Sequence, residues 1–165
     1  MAILDLPCGA LAEIDADDLL CVSAYHWYLV RRSGSKYVEA MISGKPQHLH
    51  RFLLRPSEGQ VVDHINGDGL DNRRINLRIC SQRENARNRG VDPRNKFGLK
   101  GVSFRSDSGK WRARITVNRR GIALGTFDSK SAAAAAYDSA ARLHFGEFAR
   151  LNANLGTAPQ SERAA

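Results

Sequence analysis

The chain has 165 residues, which is enough for one ordinary domain or for two small modules that share little core. Its formal net charge is +8, and no apolar run approaches the length of a membrane span, so a membrane-embedded protein is excluded. A leader-like apolar segment is also missing, which predicts a cytoplasmic protein. The three cysteines form no Cys-x-x-Cys pair, so we expect buried thiols rather than a disulfide framework or a zinc knuckle.

The positive charge increases along the chain. Residues 1–45 carry 4 basic and 6 acidic side chains (−2), residues 46–90 carry 8 and 5 (+3), and residues 91–165 carry 13 and 6 (+7). A basic C-terminal half favours a polyanionic partner, most simply nucleic acid, with a membrane surface or simple solubility as alternatives. The sequence contains no amphipathic basic helix that would favour a membrane.

Residues 1–45 alternate short apolar runs with turns. This pattern predicts a strand, a short helical turn over residues 15–22, and further strands, with residues 37–42 pairing back across residues 33–35. Trp27 and Tyr28 could stack on unpaired bases, but aromatic residues in an apolar run more often belong to a core. We expect this segment to be a scaffold.

Two histidines, His48 and His50, follow at a spacing that would place them on one face of a strand. Such a pair can form half of a metal site, or it can simply pack.

The most informative stretch is an apolar run that ends in Asp63 and His64. In an extended backbone these neighbours point to opposite sides, so one can bind a metal while the other handles a proton. Residues 66–69 then form a turn by composition, because glycine, asparagine and aspartate accept backbone angles that other residues resist. From about residue 72 the pattern predicts a helix with four inward residues: Ile75, Leu77, Ile79 and Cys80.

Asn76 lies twelve residues after His64, and Asn85 nine residues further on. With Asp63 and His64, this spacing over about residues 46–90 resembles the ββα-metal site of the HNH endonuclease family, in the variant whose third motif residue is Asn. The flanking Arg-rich and Asn-rich residues also resemble that phage-borne and homing subfamily. The resemblance implies that all four residues belong to a nuclease site, in a bacterial or phage-infected host cell.

Phosphodiester hydrolysis requires a proton acceptor for water and stabilisation of the charge on phosphorus and on the leaving oxygen. His64 suits the first task because an imidazole can be neutral in the cell. Asp63 and Asn85 offer hard oxygen ligands, which favour Mg²⁺ or Mn²⁺. Zn²⁺ is disfavoured because Asn85 stands where another HNH variant has a terminal His. The resemblance assigns Asn76 the supporting role of orienting the imidazole.

Basic side chains around this stretch are expected to meet DNA phosphates, although any of them could be a solvated charge. They are Arg51, Arg73, Arg74, Arg78 and Arg87. In HNH proteins of this type a His-Arg pair like His50-Arg51 lies beside the site without being a principal ligand, which argues against the metal half-site.

After a polar linker at residues 91–95, the pattern predicts three antiparallel strands and one helix. The strands cover residues 98–104, 110–117 and 122–127, and Asp128 or Ser129 caps a helix running through residue 132 to about 145. Alternation in the second strand turns Trp111 toward the alanine-rich helix and leaves the other face basic.

This order, with Gly101-Val102, Leu124-Gly125-Thr126-Phe127 and an Ala-Ala-Tyr137-Asp138 segment, resembles the plant APETALA/ethylene-response-factor DNA-binding domain over residues 96–153. The family is known fused to HNH nucleases, and its sheet lies in the major groove. Ser103, Arg114 and Ala123 replace the plant Arg, Glu and Trp, so the target sequence does not carry over. The residues expected to face DNA are Ser103, Arg105, Lys110, Arg112, Arg114 and Thr116.

The sequence thus predicts an α+β protein: a β-rich scaffold (1–45), an HNH module (46–90), a linker (91–95), a sheet-and-helix DNA-binding domain (96–153) and a disordered tail (154–165). The expected function is metal-dependent cleavage of double-stranded DNA, without a membrane or an obligate protein partner. Two alternatives remain: a non-catalytic DNA-binding regulator on an HNH scaffold, and an RNA-binding protein, which the lack of aromatic repeats on the sheet disfavours.

Overall fold

A computed structural model describes residues 1–32 and 34–154 of the chain. Ser33, in the predicted hairpin turn, and the predicted tail from residue 155 lie outside the described residues. The chain divides into two compact units, Met1–Asn85 and Ala86–Ala165. Small antiparallel sheets with few helices confirm the predicted α+β class.

The first unit begins with two small antiparallel sheets joined by a short helical segment. A two-stranded sheet pairs β1 (Ala2–Asp5) with β2 (Leu11–Ile14), and a 3-10 turn (Ala16–Asp18) and α1 (Leu19–Val22) follow. A three-stranded sheet then contains β3 (Trp27–Arg32), β4 (Ser35–Ile42) and β5 (Lys45–His48), with β4 in the centre. The predicted helical turn near residues 15–22 and the pairing of residues 37–42 are therefore confirmed.

The segment after β5 differs from the prediction for His48 and His50. His48 ends β5, whereas His50 lies in α2 (Leu49–Leu54), so the two residues do not share a strand face. The chain turns from strand to helix between them because Leu49 and Leu53, four residues apart, pack into the core. The rings of His48 and His50 nevertheless stack, with centroids 5.2 Å apart.

The central stretch forms a hairpin followed by a short helix. β6 (Gln60–His64) pairs with β7 (Leu77–Ser81), a 3-10 turn (Arg74–Asn76) precedes β7, and α3 (Gln82–Arg87) follows it. The helix predicted from residue 72 is wrong, since Leu77 pairs with His64 across a ladder and Ile75 is 82% exposed. A short apolar run fits both the helical and the strand periodicity, and here pairing with β6 makes the segment a strand.

Residues from both ends of the first unit build one core. Trp27 is buried in it and donates its indole N–H to the carbonyl of Val22, which confirms core packing for this residue. The other buried core residues are Leu6, Ala12, Ile14, Val22, Val38, Ala40, Leu49, Leu53, Val62 and Leu77.

The end of β2 is joined to the loop that follows His64. Glu13 donates its N–H to the Leu70 carbonyl and accepts from the Asn72 N–H, both at 2.8 Å. These bonds make residues near Asp71 a parallel extension of β2. The N-terminal segment thereby fixes the path of the central stretch.

The second unit is a three-stranded sheet covered by one helix. β8 (Val102–Arg105), β9 (Lys110–Val117) and β10 (Arg120–Phe127) are antiparallel with β9 in the centre, and α4 (Lys130–Phe145) packs on the sheet. Ser129 caps α4 by accepting from the Ala132 N–H, so Ser129 is the cap of the two predicted candidates. The helix begins directly after this cap and ends at Phe145, as predicted.

Alternation along β9 follows the prediction. Ala113 and Ile115 are buried under α4, while Arg112, Arg114 and Thr116, which alternate with them along the strand, are exposed. Gly101 marks how closely the layers approach, because a Cβ built there would collide with the Tyr137 ring.

None of the described helices combines the length and the apolarity needed to cross a membrane. All three cysteines are free, but only Cys80 is buried. The prediction of buried thiols is wrong for Cys8, in the turn between β1 and β2, and for Cys21, because the inward position of α1 is taken by Val22.

Candidate active site and nucleic-acid interface

Asp63 and His64 end strand β6, and their side chains meet different partners. Arg78, the cross-strand neighbour of Asp63, donates to Asp63 Oδ2 from Nη2 at 2.7 Å and from Nε at 3.0 Å. The Asp63 side chain is buried and that of Arg78 is largely covered, with 5% and 12% exposed. The neighbouring His64 contacts Asn72 instead, as expected for adjacent residues on an extended strand.

His64 is held by an amide whose orientation is itself fixed. Asn72 donates through Nδ2 to the Gly69 carbonyl at 3.2 Å, so its Oδ1 faces His64 Nε2 at 3.4 Å. An amide oxygen only accepts, so this contact is a hydrogen bond in the tautomer that carries the ring hydrogen on Nε2 and the lone pair on Nδ1. Burial lowers the pKa of His64, although Asn72 and nearby carboxylates act to raise it. The lowered pKa favours the neutral imidazole, whose basic atom is Nδ1 in this tautomer.

Three rings, those of Tyr37, His48 and His50, form a cluster with this imidazole. The His50 ring lies 4.9 Å from the His64 ring edge-to-face, and Tyr37 lies within 6.1 Å of His48, His50 and His64. Burial, followed by repulsion from the other histidines, lowers the pKa of His50 to about 3. The cluster therefore packs around His64, and burial disfavours a positive charge on His50 and on His48.

Asn76 ties the turn after His64 to the start of β7. Its Nδ2 donates to the Asp71 carbonyl at 2.7 Å and to Asn66 Oδ1 at 3.1 Å, and its Oδ1 accepts from the Asn66 N–H at 3.0 Å. Asn76 is buried, so these bonds satisfy groups that water does not reach. The loop that carries His64 and Asn72 is fixed at both ends.

Asn72 is the site residue that sequence reasoning missed. It is fully buried and contacts His64 directly, yet the sequence analysis treated it only as part of a flanking motif. One indication in the sequence that Asn72 belongs to the site is its place directly after Asp71 and before two arginines. The sequence does not show that the loop folds back toward the strand end.

Asn85 lies in α3, whose start is fixed by a capping box. Ser81 Oγ accepts from the Glu84 N–H at 3.2 Å, while Glu84 accepts from the Ser81 N–H at 2.8 Å. α3 follows β7 directly, so the chain enters this helix from the strand that carries Arg78, the cross-strand partner of Asp63.

Oxygen ligands dominate the possible metal donors. Within residues 1–32 and 34–154, no three His, Cys, Asp or Glu side chains are arranged to hold a metal ion. The oxygen donors that the sequence pattern assigns to a metal are the Asp63 carboxylate and the half-buried Asn85 carboxamide. Such a set fits a hard ion held weakly and does not fit the nitrogen and sulfur ligands of structural zinc.

The arginines predicted to contact phosphate are largely engaged within the protein. Arg73 binds Asp71 at 2.7 Å and Glu13 at 3.1 Å, and Arg74 binds Asp18 at 2.7 Å. A side chain whose charge is already compensated offers less net attraction to a phosphate. Together with Arg78, these residues brace the loop around the candidate site.

Arg51 and Arg87 have different environments. Arg51 donates to the Gln60 carbonyl at 3.2 Å, and the Arg87 guanidinium lies 5.1 Å from the Phe145 ring centroid. Neither pairs with a carboxylate in the part of the chain that the structure describes. Their positive charge remains available to a ligand.

The exposed face of the C-terminal sheet carries most of the other predicted contacts. Arg105 is paired with Asp107 at 2.5 Å and Lys110 with Asp128 at 3.1 Å, both in exposed positions. Arg112 and Arg114, in contrast, have no carboxylate partner among the described residues. Ser103 lies opposite Arg112, and Thr116 is exposed on the same face.

Comparison of the sequence with known proteins identifies the family to which the chain belongs. The HNH endonuclease family model matches residues 55–87. An uncharacterized HNH endonuclease of Acanthamoeba polyphaga mimivirus is 31% identical over 150 residues, covering 87% of this chain and 75% of that protein. The chain therefore belongs to the HNH endonuclease family, and membership implies a nuclease that acts on DNA.

Two other relatives match parts of the chain. Protein 3.8 of Escherichia phage T7 is 32% identical over 94 residues, which are 57% of this chain and 77% of that protein. Dehydration-responsive element-binding protein 2D of Arabidopsis thaliana is 38% identical over 86 residues, 51% of this chain and 41% of that protein. No solved structure matches the chain.

Proposed function

We propose that the chain is a divalent-metal-dependent endonuclease of the homing or phage HNH type that hydrolyses phosphodiester bonds in double-stranded DNA. The observation that carries the proposal is the pair Asp63 and His64, a buried carboxylate and a buried imidazole that face opposite sides of one strand end. Hydrolysis needs one group that binds a cation and another that accepts a proton, and this pair separates the two tasks.

In this proposal Asp63 and Asn85 hold Mg²⁺ or Mn²⁺, in a ββα-metal arrangement of β6, β7 and α3. When bound, the ion would neutralise charge on the phosphate and on the leaving oxygen. Two protein oxygens are few, so DNA phosphate and water would complete the shell. Arg78 also binds Asp63 Oδ2, which makes the site weak for metal until DNA is present.

The remaining polar residues position the base. His64 would accept the proton of an attacking water at Nδ1, because Asn72 engages Nε2. Asn76 holds the loop that carries Asn72. Arg51 and Arg87, which have no carboxylate partners in the described residues, would contact phosphates before Arg73, Arg74 or Arg78.

The second unit would bring the nuclease to its target. We assign residues 96–153 to a DNA-binding domain of the APETALA/ethylene-response-factor type, with residues 1–45 as scaffold, residues 46–90 as the nuclease module and 91–95 as the linker. The partial match to an Arabidopsis element-binding protein supports this assignment. The exposed face of β9, with Arg112 and Arg114 unpaired in the described residues, would enter the major groove.

One observation favours a second function. The Asp63 carboxylate is already neutralised by Arg78, as it would be in a DNA-binding regulator that kept the HNH scaffold without its activity. Such a protein would bind DNA but leave it intact.

The test is incubation of the full chain with supercoiled plasmid. Relaxed product is expected with Mg²⁺ and not with EDTA, and a monomer with one site should nick. His64→Ala should slow cleavage by roughly 10² to 10⁴ while DNA affinity changes little, because a proton acceptor makes no phosphate contact. His26→Ala, which removes an exposed histidine, is the matched control.

Binding without cleavage under all metal conditions would favour the regulator. Cleavage that persists in EDTA, or that survives His64→Ala at the wild-type rate, would exclude the proposed mechanism.

A further inference from the structure

The turn between β9 and β10 holds an arginine in an unfavourable backbone conformation. Val117 pairs with Arg120, so the turn contains two residues, Asn118 with φ 50° and Arg119 with φ 67°. Positive φ at both positions defines a type I′ hairpin turn, whose second position favours glycine. The left-handed conformation strains any residue with a Cβ, so Arg119 costs stability at a position where glycine would fit.

A second feature lies two residues further along. The Arg114 guanidinium occupies the space above Gly121, where a Cβ would collide with Nη2, Nε and Cζ of Arg114. Arg114 is paired across the ladder with Ala123, so its side chain reaches diagonally toward the turn. The charged head therefore lies near the end of the sheet, away from its own Cα.

The backbone does not explain why residue 121 is glycine. Gly121 does not have a positive φ, unlike ten other glycines in the part of the chain that the structure describes, so an alanine would fit the strand conformation here. A glycine inside a strand lowers stability, and it often marks a place where another group must approach closely. Here the approaching group is the Arg114 head, at the end of a flexible side chain.

We propose that the β9–β10 turn end of the sheet is the part of the second unit that contacts DNA most closely. Gly121 acts as a positioning residue that lets the Arg114 guanidinium lie flat and reach a base edge, and Arg119 is held at the tip to contact a phosphate. The inference rests on the proposed DNA-binding function of this face. Arg114 and Arg119 have no carboxylate partner in the described residues, so both charges are available to DNA.

The experiment measures binding of the full chain in EDTA to two fluorescent duplex probes. One is a sequence selected from a random library by the wild-type chain, and the other is the unselected library. Arg114→Ala should weaken binding to the selected duplex by about 5- to 150-fold and to the library much less, because a bidentate arginine–guanine contact is lost.

Gly121→Ala should also weaken binding to the selected duplex more than binding to the library. Its melting temperature should not fall, because only the end of the Arg114 side chain must move to make room for the added methyl group. Added to Arg114→Ala it should weaken binding no further, since the group it positions is then absent. The two substitutions thus form a double-mutant cycle with full coupling.

Arg119→Gly should raise the melting temperature and yet weaken binding to both probes. It should also reduce the salt dependence of binding by about one unit, as expected for one lost phosphate contact. Arg142→Gln, which removes an exposed charge on α4, is the control and should change neither affinity nor salt dependence.

If Arg114→Ala weakens binding but Gly121→Ala does not, the positioning role of Gly121 is wrong and the DNA-binding face stands. Additive losses from Gly121→Ala in the Arg114→Ala background, or a lower melting temperature of Gly121→Ala, also overturn that role. If Arg119→Gly binds both probes as tightly as the wild-type chain does, the proposed phosphate contact of Arg119 is wrong. Wild-type binding by both Arg114→Ala and Arg119→Gly means that this face does not bind DNA, and the proposed function of the second unit fails.

Discussion

At the scale of single residues, the buried pair of Asp63 and Arg78 links the candidate chemistry to stability. Arg78→Ala would leave the Asp63 carboxylate buried without its cationic partner. Removing one member of a buried pair costs about 3–5 kcal/mol, so the free energy of unfolding should fall by that order in chemical denaturation.

Arg94→Ala is the control, because Arg94 is 91% exposed in its pair with Asp92 and should show no measurable loss. The double variant Asp63→Asn with Arg78→Gln should recover part of the stability of Arg78→Ala, since no lone charge remains. Equal, small losses for Arg78→Ala and Arg94→Ala would mean that Asp63 is solvated in solution.

His50 makes stability depend on pH. Burial lowers its pKa to about 3 in the folded protein, whereas an unfolded histidine titrates near 6.5. Below pH 6.5 the unfolded chain binds more protons, so stability falls with decreasing pH until the folded pKa is reached. Between pH 7 and pH 5 this residue alone should remove about 2 kcal/mol from the free energy of unfolding.

The matched variant is His50→Phe, which keeps a ring against Tyr37 and His64 but cannot titrate. It should show a smaller loss of stability between the two pH values in urea unfolding. An unchanged pH dependence would indicate that His50 is accessible to protons in the folded state.

The predictability of the site differs from residue to residue. Asp63 and His64 could be predicted to face opposite sides because strand alternation is a local property. Asn72 could not be assigned, since its contact with His64 depends on a loop that folds back over eight residues. Arg74 pairs with Asp18, and Arg73 pairs with Glu13 as well as with its neighbour Asp71. Because Glu13 and Asp18 lie far away in sequence, the lower availability of these arginines to phosphate could not be predicted.

At the scale of elements, the loop between β6 and β7 behaves as one hydrogen-bonded unit. Asn76→Ala would remove three bonds, to the Asp71 carbonyl and to the Asn66 N–H and Oδ1, at a cost of roughly 2 kcal/mol. Cleavage should slow more than DNA binding weakens, because the loop positions His64.

Asn66→Ala and the double variant complete the cycle. Since the two side chains share one network, their losses should be non-additive, with a coupling of about 0.5–3 kcal/mol. Simple additivity in denaturation experiments would show that Asn76 stabilises the loop through other groups.

Elements with a strong local pattern could be predicted, and those defined by a distant partner could not. Eight alternating residues identified β9, and a capping serine with an alanine-rich run identified α4. Strand β7 is short, and its apolar residues fit a helix equally well until β6 pairs with it. The same holds for His50, where tertiary packing of α2 ended the strand.

At the scale of the whole molecule, charge and chemistry are divided between different parts of the chain. Residues 91–165 carry +7 of the net charge of +8. A fragment ending near Gly90 should therefore keep a trace of metal-dependent, poorly specific nicking and lose most affinity in a gel shift at fixed salt.

Circular dichroism of the fragment should first establish that it folds, which is expected because residues 1–85 contain their own core. A fragment that binds as tightly as the full chain would show that the second unit is not the main anchor.

The bonds between β2 and the loop after His64 matter for anyone who would transplant this nuclease onto another targeting protein. Glu13 supplies two backbone bonds to that loop, and Asp15 and Asp18 hold Arg74 beside it. A graft that starts at residue 46, or at the start of the family match at residue 55, would discard all three anchors. The smallest portable cassette therefore begins no later than β2, and chimeras built on shorter inserts should express as misfolded or inactive fusions.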